Sequence, residues 1–124
     1  MPPNEEWVRK AEEDLAVAHL AVGNALWSPA CFHAQQASEK ALKAVYEAAA
    51  LPVPRIHDLD ALLQGLEDKA SLDVTPVREA ALVLTSYGVD ARYPGFEADA
   101  TEASEAVRLA ETMMAWSAKQ MPIP

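Results

Sequence analysis

Residues 28–50, SPACFHAQQASEKALKAVYEAAA, decide the fold. Ala30, Ala34, Ala37, Ala41, Ala44 and Ala48 recur at intervals of four, three, four, three and four. That rhythm places them on one face of an α-helix. Alanine is the best helix former and the smallest side chain that still favours the helix, so the stripe invites a second helix to approach closely. Phe32, Leu42, Val45 and Tyr46 flank the stripe and supply bulk. Ser28-Pro29 predicts an N-cap followed by proline in the first helical position. Leu51-Pro52-Val53-Pro54 closes the helix near Ala50, because each proline removes a donor and restricts the residue before it.

The flanking sequence follows the same pattern. Val8, Ala11, Leu15, Ala18, Val22 and Ala25 form a seam on a helix expected from Asn4, as N-cap, to about Leu26. Asp58 is placed to cap a short third helix whose apolar face is Leu59, Leu62, Leu63 and Leu66, with Gly65 and the polar residues beyond Leu66 marking its end. Thr75-Pro76 predicts the start of a fourth helix carrying Val77, Ala80, Ala81, Leu84 and Tyr87. Gly88 to Gly95 is a loop, and MPIP a frayed tail. Asp99 with Glu102 three residues on has the form of a capping box for a last helix, Thr101 to Lys119, with Ala103, Val107, Ala110 and Met114 on one face. No segment alternates over strand length. The expected fold is all-α: one domain, residues 1–124, forming an antiparallel up-and-down bundle of about five helices.

Composition narrows the function classes. The formal net charge is −9, which repels bare nucleic-acid backbone unless positive charge is concentrated somewhere. Only residues 29–57 are not acidic: Lys40, Lys43 and Arg55 outnumber Glu39 and Glu47, and His33 and His57 lie there too. The single cysteine, Cys31, forbids an intrachain disulfide, reads as a reduced, buried thiol and fits a cytoplasmic setting. Residues 15–38 carry no Asp, Glu, Lys or Arg, but His19, Asn24, Pro29, His33, Gln35 and Gln36 argue against a membrane span. Four glycines cannot write a Rossmann or Walker loop, and one Cys with three scattered His makes no zinc site, so neither cofactor nor metal is expected.

His33, Gln36, Lys40, Lys43 and Glu47, spaced three, four, three and four, share one face of the second helix. Composition alone favours a solvated outer face with an i,i+4 pair between Glu39 and Lys43. The functional alternative is a pocket wall: imidazole and ammonium bind phosphate, and amides read base or sugar edges. Gln35 and Glu39 lie on a line of otherwise apolar residues and are expected to be partly buried. A buried carboxylate needs a partner, and His57 and Arg92 are the candidates.

Residues 31–44, CFHAQQASEKALKA, resemble the signature helix of the HEPN family (higher eukaryotes and prokaryotes nucleotide-binding). His57-Asp58-Leu59 followed by Leu62-Leu63 resembles the family's His-Asp-Leu-x-x-Leu-Leu element, and Ala91-Arg92-Tyr93-Pro94 its Ala-Arg-Tyr-Pro loop. Trp7 through Leu15, with Ala11, Asp14 and Leu15, matches the usual opening. The resemblance spans nearly the whole chain. It implies an antiparallel helical bundle, often dimeric, with a minimal nucleotidyltransferase as a frequent partner. Many members are ribonucleases, often toxins of toxin–antitoxin pairs, which use an Arg followed after four to six residues by His. None of Arg9, Arg55, Arg78, Arg92 and Arg108 has a His at that spacing, so ribonuclease activity is not carried over.

The ligand-binding candidates are therefore His33, Gln36, Lys40, Lys43, His57 and Arg92. Gln35, Glu39, Asp58 (as an N-cap) and Tyr93 (as a packed aromatic) are assigned structural roles. No residue is assigned as catalytic. The leading expectation is a non-catalytic module binding a nucleotide or nucleotidyl substrate beside a separate nucleotidyltransferase. The alternatives are a metal-independent ribonuclease with an unusual site, and a structural helical dimerisation domain.

Overall fold

A computed structural model describes residues 3–88, 93–95 and 97–121. It contains five helices: α1 (Pro3–Gly23), α2 (Trp27–Ala48), α3 (Leu59–Ala70), α4 (Thr75–Thr85) and α5 (Ala100–Gln120), with a 3₁₀ turn at Ser86–Gly88. The described residues form no strand, and no helix is long and apolar enough to cross a membrane. The all-α bundle is the one the alanine periodicity predicts.

α2 is the axis of the molecule. It packs against all four other helices and the 3₁₀ turn. Ala30, Ala34, Ala37, Ala41 and Ala44 are buried, as are Ala11, Ala18 and Ala21 of α1 and Ala103, Ala106 and Ala110 of α5. Alanine set against alanine brings backbones together, so much of this core is close approach between helices rather than interdigitated large side chains. Bulk sits instead near α3 and α4, where Leu42, Tyr46, Leu59, Leu62, Leu63, Leu66, Val74, Val77 and Leu84 are buried together. Cys31 is fully buried within the core, and burial pushes its thiol up to about 11. The thiol is thus a packing group and not a nucleophile.

Helix termini differ from expectation in an informative way. α1 begins at Pro3, so Asn4 lies inside its first turn rather than capping it. α2 begins at Trp27, and Ser28 does not cap it; the Ser28 Oγ instead accepts from the Ala98 N–H at 3.2 Å, tying the approach to α5 onto the start of α2. At α4 the expected cap Thr75 is already helical, and Asp73 accepts from the Thr75 N–H at 3.1 Å. Hydrogen bonds from Thr75 hold the Asp73 carboxyl below the usual carboxylate range. Asp58 and the Asp99–Glu102 capping box stand where the sequence puts them: Asp58 accepts from the Ala61 N–H, and the Asp99 and Glu102 carboxylates each accept from the other's backbone N–H.

α1 and α2 end before the predicted Leu26 and Ala50, through the same device. Ala25 and Ala50 adopt left-handed backbones, with φ of 58° and 57°. Leu26 N–H reaches Ala21 O and Ala25 N–H reaches Val22 O; Leu51 to Tyr46 and Ala50 to Glu47 repeat the pattern. These are Schellman closures made without glycine, each carrying the steric cost of a Cβ in the left-handed region. The first folds α1 back on α2 within three residues.

Gly65, expected to mark the end of α3, lies in its interior. A Cβ there would collide with the Tyr46 hydroxyl oxygen, which is itself committed, donating to Leu62 O at 2.7 Å. Two glycine exchanges should therefore act in opposite directions. In urea unfolding, Ala50→Gly should stabilise by about 0.5–1 kcal/mol by removing a strained Cβ. Gly65→Ala should destabilise by about 1–3 kcal/mol despite its better helix propensity, and adding Tyr46→Phe should return part of that loss.

Candidate functional site

The polar face of α2 is largely buried. Gln35 is fully buried, Glu39 and Lys43 are nearly so, and His33, Gln36, Lys40 and Glu47 are half-buried. The reason is the position of α2 in the middle of the bundle: a helix surrounded by others has no free outer face, so polar residues along it must find partners inside the protein.

Two carboxylates organise them. Asp14, on α1 and buried, meets His33 Nδ1 at 2.9 Å through one oxygen and accepts from Lys40 Nζ at 2.5 Å through the other. Glu39 accepts from Lys43 Nζ at 3.0 Å and meets His57 Nδ1 at 3.1 Å. Both carboxylates therefore hold one lysine and one histidine. Gln35 extends the second group: its amide donates to Glu39 at 3.5 Å and to the His57 carbonyl at 3.2 Å, and Gln36 donates to Gln35 Oε1 at 2.8 Å. Trp7 of α1 lies under Lys43, with the ammonium 5.8 Å from the ring centroid, a cation–π geometry.

Of the residues singled out from sequence, His33, Gln35, Gln36, Glu39, Lys40, Lys43 and His57 are thus brought into two clusters. The expected pair between Glu39 and Lys43 exists, but buried. His57 is the partner that the buried Glu39 required. Arg92, the other candidate, lies outside the described residues. Asp58 caps α3. Tyr93 stands 60% exposed rather than packed as expected. Asp14 and Trp7 were not selected from the sequence. The signal for Asp14 was present, because it falls three residues after Ala11 and four before Ala18, an acid on the buried face of α1.

The arrangement has a definite chemistry. Within the two clusters two carboxylates balance two ammoniums, while Glu47 adds a further negative charge along the same face of α2. Each imidazole meets a carboxylate at Nδ1, so Nε2 is the ring nitrogen outside that pair. His57 presents 78% of its side chain to solvent and His33 31%. No group of three or more His, Cys, Asp and Glu among the described residues is arranged to hold a metal ion.

The profile of the HEPN domain family matches residues 4–121. The chain belongs to the HEPN domain family. TT1696 from Thermus thermophilus, known from its crystal structure, is 31% identical over 98% of this chain and all of its own, with a TM-score of 0.87. ST0689, described as an archaeal HEPN homologue, is 26% identical over 98% of this chain and all of its own, with a TM-score of 0.79. No curated protein matches significantly. The two carboxylate-centred clusters are built on the α2 segment that carries the HEPN resemblance, together with Asp14 from the opening motif and His57 from the His-Asp-Leu element.

Breaking the Glu39 cluster should show its energetic weight. Glu39→Ala strands a buried Lys43 ammonium and should cost about 3–5 kcal/mol in urea unfolding. Adding Lys43→Met, which removes the stranded charge, should return part of it.

Proposed function

We propose that this HEPN chain is a non-catalytic module that binds a nucleotide, or the nucleotidyl-bearing substrate of a separate enzyme, along the α2 face. It works as a homodimer with a minimal nucleotidyltransferase in a toxin–antitoxin-like setting. The observation that carries the reading is the pair of imidazoles, His33 and His57, each meeting a buried carboxylate through Nδ1, so that Nε2 is the nitrogen outside that pair. Such groups donate to phosphate when protonated and accept from sugar or base donors when neutral. Lys40 and Lys43 are neutralised by Asp14 and Glu39, so they support the imidazoles rather than forming a free cationic patch. This favours a small nucleotide over a long nucleic acid, in keeping with the net charge of −9. The missing Arg-x(4–6)-His spacing supports the non-catalytic half, and the nucleotidyltransferase partner rests on family resemblance.

The same imidazoles favour a second reading, a metal-independent ribonuclease with His33 or His57 as acid or base. One experiment separates the two. In thermal-shift titrations with ATP, GTP, AMP and a short RNA, a nucleotide at a hundred times its Kd should stabilise by about 2.7 kcal/mol. His33→Gln and His57→Gln should each weaken the effect. No shift with any nucleotide defeats the binding reading; cleavage of the RNA that His57→Gln abolishes would establish the second.

A further inference from the structure

The outer face of α1 becomes apolar in its second half. Ala16, Val17, Leu20 and Gly23 are exposed along it, and Leu26 continues it into the turn before α2; Leu20 is 66% exposed and Leu26 54%. Residues 15–38 contain no Asp, Glu, Lys or Arg. The polar side chains beside the patch are engaged: the Asn24 amide donates to Leu20 O at 2.8 Å, and His19 lies 3.7 Å from Glu111 on α5. A contiguous apolar patch marks an interaction surface, whereas single exposed apolar residues do not. The other exposed aliphatic pair, Leu82 and Val83 on α4, is interrupted by charge, because Glu79, Glu105 and Arg108 line the groove beside Val83.

Gly23 gives this patch its shape. It is the last residue of α1, and glycine in a helix weakens it relative to alanine. Nothing within the chain requires glycine there. The left-handed position of this turn is Ala25, and a Cβ at Gly23 would meet nothing within 4 Å beyond its own helix turn. Ala16, Leu20 and Gly23 are spaced four and three, so they share one line, with bulk in the middle and a small residue one turn to either side. That pattern is complementary to itself. In a two-fold antiparallel pairing centred on Leu20, the two leucines meet at the axis and Ala16 of one copy comes against Gly23 of the other, small against small, so the backbones close. A two-fold interface requires this kind of self-match. Charge selects the same occupant. Each copy carries −9, so copies repel one another over most of their surface, and this face lets two of them touch without burying like charges.

We infer that the outer face of α1, centred on Leu20, is the surface through which two copies of this chain associate. The inference rests on the homodimer of the proposed function and assigns its contact surface. Val17 stands one turn beyond Asp14 on α1, so the second copy borders the Asp14–His33 cluster.

Sedimentation equilibrium of the full chain, with circular dichroism to confirm folding, tests it. The wild type should dimerise at micromolar concentration. Leu20→Glu, at an exposed position, should raise the dimer dissociation constant by about thirtyfold or more, the effect of losing a central interface residue. Leu82→Glu should leave it unchanged. Should Leu20→Glu fail to fold, Gly23→Leu replaces it: the new side chain points into open space within the chain, so association alone should suffer. A short bismaleimide should join Leu20→Cys to a second copy, because the two-fold axis brings the two thiols together, and should not join Leu82→Cys. Cys31 is buried and stays unreacted. A wild type that remains monomeric at every accessible concentration overturns this inference together with the homodimer, and leaves nucleotide binding to its own titration. A dimer that neither Leu20→Glu nor Gly23→Leu weakens overturns the α1 face alone.

Discussion

Everything in this molecule depends on the burial of α2. A helix that touches every other helix keeps little wet surface, yet this one carries His33, Gln35, Gln36, Glu39, Lys40, Lys43 and Glu47. Charged groups taken out of water are tolerated only when paired and hydrogen-bonded. Asp14 and Glu39 meet that demand, and in doing so they fix two lysines and two histidines in place. The polar arrangement on α2 is therefore first a condition for folding around a central helix. The orientation of His33 and His57 follows from it.

Small residues are the second half of the same constraint. Alanines on α1, α2 and α5 allow close packing around the axis, but they contribute little apolar area each. Tyr46 compensates on the other side, filling the space against α3 with its ring and satisfying its hydroxyl on Leu62 O, an approach that only Gly65 permits. Where small side chains from three helices face one another without such a filler, the cavity beside Ser117 results. Dense packing at one end of α2 and an unfilled hollow elsewhere along it have one cause, the alanine stripe.

The function proposed for the α2 face follows from what the pairing leaves over. Once the lysines are paired, the imidazoles of His33 and His57, with Gln36, are what the described part of this face offers a ligand. Paired lysines beside partly exposed imidazoles suit a small nucleotide better than a polyanion.

The sequence by itself determined the helices, their apolar faces and the family. Periodicity, proline stops and the Asp58 and Asp99 caps are local features, settled by a few neighbouring residues. It also indicated that Glu39 would be partly buried and would need a partner, with His57 and Arg92 as candidates, because an acid in an apolar line is legible from spacing alone. The tertiary structure decided what depends on residues distant in the chain. It turned the expected solvated stripe into a buried network, since only the assembled bundle shows that α2 has no outer face. It brought in Asp14 and Trp7 from α1, closed α1 and α2 with left-handed alanines that carry no glycine signal, and gave Gly65 a packing role in place of a stop.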